Sequence, residues 1–179
     1  MKLSAPAASR IVQKLRPYLK GLQPGRLTTR ISGELRKSLK EADRISLACL
    51  KGVDLQPEYP FEDLLQAEVN VEQTAHELIL TIPIAEHTIK RLNNLVTNYY
   101  FELILLYGDV GKENGLRTES EDSEVYEIEK DYPADCKLRV VLPEQPWIAL
   151  LKVNCIEGNE LALSPKLYGM KVVERKREK

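Results

Sequence analysis

The sequence has few of the residues that build metal centres, disulfide frameworks and nucleophilic active sites. Its 179 residues include three Cys and two His, and none of them stands in a CxxC, HExxH or GxSxG pattern. Cys49 is distant from the others, whereas Cys136 and Cys155 lie in β-like runs and could pair in an oxidising compartment. His76 and His87 are predicted to be surface residues, although a catalytic triad can assemble from distant positions. We therefore expect no catalytic residue, metal ligand, cofactor or small-molecule substrate.

Long apolar runs are also missing. No stretch approaches the roughly 18 residues that cross a bilayer, and Met1–Pro6 lacks the apolar core of a secretory signal. The sequence therefore predicts a cytoplasmic protein without membrane contact. With 43% hydrophobic residues, the chain still has enough apolar material for a core.

Charge is balanced over the whole chain but not along it. Residues 1–51 hold 12 Lys and Arg against three Asp and Glu, a net charge of +9, whereas residues 52–179 carry a net charge of −10. Such asymmetry indicates either a polyanionic partner for the basic part or docking of that part on acidic surface of the same protein.

The densest acidic segment is Glu113–Asp135, with nine acidic residues against two basic ones. We predict a solvated long connection that flanks a strand, and the alternatives are a cation site or a docking surface for the basic helices. Overlapping its start, Gly108–Gly115 superficially suggests a phosphate or Ca²⁺ loop, but Glu113 follows Lys112 and the ligand positions do not fit. That loop is predicted to turn the chain after a central strand.

The first part of the chain has helical periodicity. Apolar residues recur every three or four positions from Ser9 to Leu22, with Pro17 expected to kink or split the helix. A second helix is predicted from a strict i+4 stripe, which comprises Leu27, Ile31, Leu35 and Leu39. Five cations flank this stripe and are the candidate contacts for a polyanion or a protein partner, namely Arg26, Arg30, Arg36, Lys37 and Lys40.

After Pro60 the period changes towards two, which is typical of strands. Seven strands are predicted, at Ala67–Val71, Leu78–Ile82, Tyr99–Tyr107, Val125–Glu129, Cys136–Leu142, Pro146–Cys155 and Lys166–Glu174. Tyr99–Tyr107 is apolar on both faces and should be central. In the sixth strand, Trp147 and the other odd positions should face the core, while Lys152 and Asn154 should face solvent.

This pattern predicts a mainly β protein. We expect an antiparallel sandwich of the immunoglobulin or fibronectin type III kind over residues 63–179, preceded by a short basic helical segment over residues 1–62. The turn at Glu157–Glu160 should precede the last strand.

The second half also resembles a known family. The segments that carry the resemblance are Tyr99–Tyr107, Leu138–Pro143, Pro146–Val153, Gly158–Asn159 and Ser164–Gly169. They are similar to those of uncharacterised Bacteroidetes proteins that join a helical, often Arg-rich N-terminal part to an immunoglobulin-like domain. The resemblance implies a fold and brings no activity, cofactor or site residue with it.

Two functions follow from the sequence. The favoured one is a non-enzymatic structural, assembly or protein-interaction module that contacts a partner or a second copy through its helices. The alternative is sequence-independent nucleic-acid binding by the basic N-terminal helices, in which Lys and Arg neutralise phosphates.

Overall fold

The computed structural model describes residues 4–42 and 44–176. Strand accounts for 36% and helix for 25%, so the protein is mainly β, as predicted. The helical elements are α1 (Ser4–Leu15), a 3-10 helix (Arg16–Leu19), α2 (Leu27–Ala42), two further 3-10 helices (Leu47–Leu50 and Pro165–Leu167) and α3 (Phe61–Leu64).

The first helix breaks where the sequence predicts. α1 ends at Leu15 and continues as the 3-10 helix, in whose first turn Pro17 lies, because proline removes the amide that an α-helix would need there. α2 covers the predicted stripe, and Leu27, Ile31 and Leu35 are buried. Its polar side faces solvent.

Nine strands follow: β1 (Asn70–Gln73), β2 (Glu77–Ile82), β3 (Val96–Gly108), β4 (Leu116–Asp122), β5 (Tyr126–Glu127), β6 (Cys136–Val141), β7 (Trp147–Glu157), β8 (Glu160–Leu161) and β9 (Tyr168–Arg175). Within the described residues they form two sheets with only antiparallel pairs, in a β-sandwich-like arrangement. One sheet has the order β1-β2-β6. The other is built around β4-β3-β7, with β8 and β9 both paired to β7 and β5 paired to β3.

The predicted central strand is confirmed. β3 pairs with β4 on one side and β7 on the other, and Leu103–Leu106 are fully buried. One face of β3 carries Tyr99 and Phe101, whose rings pack with that of Tyr126 at centroid distances of 5.8 and 6.4 Å. Both faces of this strand therefore lie inside the protein.

The helical segment covers the other face of the six-stranded sheet. Gly21, which follows the first 3-10 helix, lies against the ring of Tyr168 in β9 so closely that a Cβ there would be 2.3 Å from a ring carbon. Gly21 also has a φ of +86°, which glycine adopts without strain. Helices and both sheets contribute to one hydrophobic cluster, and the predicted boundary at residues 62 and 63 falls within α3.

Two predictions about this sheet are wrong. Lys152 and Asn154 were expected to face solvent but are only 4% and 1% exposed, because the helical segment covers their face of β7. The acidic segment was expected to be a long connection, yet residues Leu116–Asp122 form β4, which pairs with β3 from Glu102 to Gly108. Backbone pairing with an apolar neighbour is sufficient to extend a segment whose own side chains are polar.

Candidate functional site

The outer side of α2 carries exposed cations. At 100° per residue, the buried stripe occupies one side of the helix and leaves Arg36, Lys37 and Lys40 on the opposite side, while Arg26 immediately precedes the first helical residue. All four are exposed, and we call Arg26, Arg36, Lys37 and Lys40 the basic face.

Arg30, the fifth predicted contact, is placed differently. Its guanidinium donates hydrogen bonds to the carbonyl oxygens of Pro24 and Leu55, both at 2.7 Å, and of Asp54 at 2.8 Å. Burial lowers the pKa of Arg30, and the negative charge of Asp54 opposes that shift. Arg30 therefore joins the start of α2 to the segment before α3, and its donors are largely engaged within the chain.

The basic face is little neutralised by its own surroundings. Lys37 pairs with Glu34 one turn away at 2.7 Å, and this hydrogen bond raises the pKa of Lys37. Among the described residues, Arg36 reaches only the hydroxyl of Ser4, at 3.4 Å. Within the described residues none of the five predicted cations pairs with a carboxylate of residues 113–135.

The acidic strand forms a second charged surface. β4 is the outermost strand of its sheet, and its side chains alternate between the two faces, so Glu119 and Asp122 point to opposite sides of this strand. Glu119, Asp122 and Glu124 are exposed and form no ion pair within the described part of the chain, and we call them the acidic edge. Glu119 accepts a hydrogen bond from the hydroxyl of Tyr107 at 2.7 Å, which fixes its position.

Beneath the helical segment lies a buried polar group that sequence reasoning missed. The Nζ of Lys152 donates to the carbonyl oxygen of Lys20 at 3.1 Å and lies 3.8 Å from the carboxylate of Glu102. Burial lowers the pKa of Lys152 and raises that of Glu102, in each case against the attraction of the other. The alternation of apolar and polar residues along β7 does not predict that Lys152 is buried, because it does not show which element covers the face of the sheet that carries Lys152.

The thiols are not poised for nucleophilic chemistry. Burial raises the pKa of Cys49 to about 11 and of Cys155 to about 12, and it also raises the pKa of Cys136. A thiol with such a pKa stays protonated near neutral pH and reacts slowly. All three are free, so Cys136 and Cys155 are not paired here. His76 and His87 are exposed, as predicted.

The glycine loop between β3 and β4 is a turn, as predicted. Gly108 has a φ of +115°, and a Cβ there would lie 2.1 Å from the carbonyl oxygen of Gly115. β3 and β4 therefore approach each other closely at the base of the loop. On its outer side the carbonyl oxygens of Val110 and Gly111 accept from the guanidinium of Arg10, at 2.9 and 3.2 Å, which ties α1 to the loop.

Within residues 4–42 and 44–176, no helix is long and apolar enough to span a membrane, and no group of three or more His, Cys, Asp or Glu is placed to hold a metal ion.

No protein-family model, curated protein sequence or solved structure matches the chain. The resemblance to an uncharacterised Bacteroidetes family and the immunoglobulin-like or fibronectin-like identity of the sandwich stay predictions.

Proposed function

We propose that the protein is a non-enzymatic assembly module in which the basic face of one copy docks on the acidic edge of another. One observation carries the proposal. Three of the four stripe residues of α2, Leu27, Ile31 and Leu35, are already buried within their own chain, while the basic face and the acidic edge remain exposed and unpaired with one another. Surfaces of opposite charge on one chain are complementary between copies.

The geometry of such a contact is head-to-tail. A basic face that meets an acidic edge joins different patches of the two copies, so the interface is heterologous and can continue into longer assemblies. Each exposed ion pair contributes only about 0.2–1 kcal/mol, so the association should be weak and sensitive to salt.

Nucleic-acid binding is the alternative, because the same cations could neutralise phosphates. Of the aromatic residues in the helical segment, Tyr18 and Tyr59 are half-buried and Phe61 is buried, so the segment offers no fully exposed ring for stacking on bases. A phosphate backbone would also leave the acidic edge without a role. We therefore favour assembly.

Charge reversal on each surface tests the proposal. The Arg36→Glu/Lys40→Glu variant and the Glu119→Lys/Glu124→Lys variant should each lose self-association, because like charges then meet at the interface. Mixing the two variants should restore association, because the reversed basic face of one variant is then complementary to the reversed acidic edge of the other. Sedimentation velocity of the separate and mixed variants measures both effects.

The matched control is Lys90→Glu/Lys166→Glu, which reverses two exposed lysines outside both surfaces and should leave association unchanged. Association that persists in both reversed variants would contradict the proposal. If wild type instead binds duplex DNA with a steep salt dependence that Arg36→Glu/Lys40→Glu alone abolishes, the alternative function is correct.

A further inference from the structure

A cleft opens between the two sheets at the border formed by β1. The cavity has a volume of about 390 Å³ and is lined mainly by apolar side chains from α3, the segment before β1, and β9. Phe61 and Leu65 lie on one side, and Val172 and Val173 lie on another. Lys51 and Lys171 stand at the rim, each paired with a carboxylate, Glu174 at 2.8 Å and Glu62 respectively.

β1 is the last strand of its sheet, and its hydrogen bonds can be assigned from the hairpin turn. The amide of Thr74 donates to the carbonyl oxygen of Glu77 at 2.9 Å, so these two residues form a hydrogen-bonded pair. In an antiparallel ladder such pairs alternate with unbonded ones. In the β1–β2 register, Glu72 with Ile79 is therefore bonded, whereas Val71 with Leu80 is not.

The backbone N–H and C=O groups of Val71 and Gln73 consequently point away from β2, towards the open border. Within the described residues no other backbone or side-chain group bonds them. A row of free donors and acceptors at every second residue is complementary to one kind of molecule, another extended polypeptide.

The side chains of this border add a chemical preference. Val69 and Val71 are half-buried and line the cleft. Glu68 precedes and Glu72 follows this pair of valines, and both are exposed and form no ion pair within the part of the chain that the structure describes. A strand laid beside β1 would place alternate side chains in the cleft and the others next to these carboxylates.

We propose that β1 binds an extended peptide segment by strand addition, with aliphatic residues at alternate positions and basic residues between them. The aliphatic side chains enter the cleft beside Val69 and Val71, and the basic ones lie beside Glu68 and Glu72. This surface is separate from the basic face and the acidic edge, so the proposal stands independently of the assembly function.

A second copy is a poor occupant of the same border. Pairing β1 with β1 of another copy would bring Glu68 and Glu72 close to their own counterparts, and like charges on neighbouring strands repel. A free lipid could fill the apolar cleft but would leave the backbone groups of Val71 and Gln73 unpaired. A basic and aliphatic strand satisfies both the charges and the backbone.

The test uses the full chain and synthetic seven-residue peptides with blocked ends and a fluorophore. One peptide has valine at positions two, four and six with lysine between, and its counterpart has glutamate instead of lysine. Fluorescence anisotropy should show binding of the lysine peptide and at least about tenfold weaker binding of the glutamate peptide. In an antiparallel arrangement the peptide residues directly opposite Val71 and Gln73 are the valines, so methylating the backbone nitrogen of one such valine should weaken binding about tenfold, as expected for one lost hydrogen bond.

A protein variant tests the same bonds from the other side. Val71→Pro removes the outward N–H without removing a bond to β2. The variant should bind the lysine peptide more weakly than wild type, and its circular dichroism spectrum should be unchanged. Hydrogen exchange of the Val71 and Gln73 amides should slow when the lysine peptide is present. This measurement on wild type keeps the test valid if the proline variant fails to fold.

Three results would overturn the proposal. The first is that the lysine peptide does not bind. The second is that it binds, but N-methylation does not weaken binding and hydrogen exchange at the Val71 and Gln73 amides does not slow. The third is that the mass of wild type rises with protein concentration and that Val71→Pro abolishes this rise. The last result would assign the border to a second copy.

Discussion

Arg30 should stabilise the fold without contributing to association, which separates it from its neighbours on α2. Its guanidinium makes three hydrogen bonds of 2.7–2.8 Å to backbone carbonyl oxygens. Arg30→Lys keeps the charge but can retain only one of them, because an ammonium cannot reproduce the planar fork. At about 0.5–1.5 kcal/mol for each lost bond, we expect a loss of about 1–3 kcal/mol in the free energy of unfolding.

Urea denaturation followed by circular dichroism measures this loss. The matched control is Arg36→Lys, the same substitution at an exposed position of the same helix, which should change stability by less than about 0.5 kcal/mol. Sedimentation of Arg30→Lys should show unchanged association. Equal stability of the two variants would refute the assignment of Arg30 as a structural clamp, and so would loss of association in Arg30→Lys at full stability.

Three further predictions concern the core. Leu103→Ala should lower the free energy of unfolding in urea by about 2–5 kcal/mol, since Leu103 is fully buried, whereas Val141→Ala at an exposed position should change it by less than about 0.5 kcal/mol. Because the folded state raises the pKa of Glu102, the contribution of Glu102 to stability is fully present below the unfolded pKa and is lost as pH rises through the folded pKa. Wild type should therefore lose stability relative to Glu102→Gln as pH increases above about 4.5, the ordinary value, and parallel curves would contradict this. Burial raises the pKa of Cys155 to about 12, so a thiol reagent at pH 8 should modify it only after unfolding, and rapid labelling of the native protein at this position would be inconsistent with the fold.

The elements that the sequence predicts well are those with a strong apolar period of their own. The stripe of α2 and the two apolar faces of β3 are local patterns, and a buried element needs them whatever its neighbours are. The β1–β2 hairpin and the turn at Gly158 are also local, because a few residues determine each turn. The start of β1 was placed too early, at Ala67 instead of Asn70.

What the sequence does not reveal depends on distant contacts. β4 has one buried residue, Leu116, and is extended because β3 supplies its hydrogen bonds. Lys152 is buried because a helical segment more than a hundred residues earlier covers it. Arg30 has the same spacing as the exposed cations of α2, and only the return of the chain at Asp54 and Leu55 distinguishes it. No periodicity contains this information.

The same distinction applies to the candidate surfaces. Four of the five predicted contact residues form the basic face, since residues opposite a buried stripe must face outwards. The open border of β1 was not, because the sequence does not show which strand ends a sheet.

The central claim is association of copies through opposite charges, and the solution mass of wild type at two salt concentrations tests it most directly. Sedimentation equilibrium should be measured at about 10 mM and about 150 mM salt, between which the Debye length falls from about 30 to about 8 Å. We predict an average mass above that of the monomer that rises with protein concentration at low salt and returns to the monomer at high salt. A monomer at both salt concentrations, over the whole concentration range, would contradict the account.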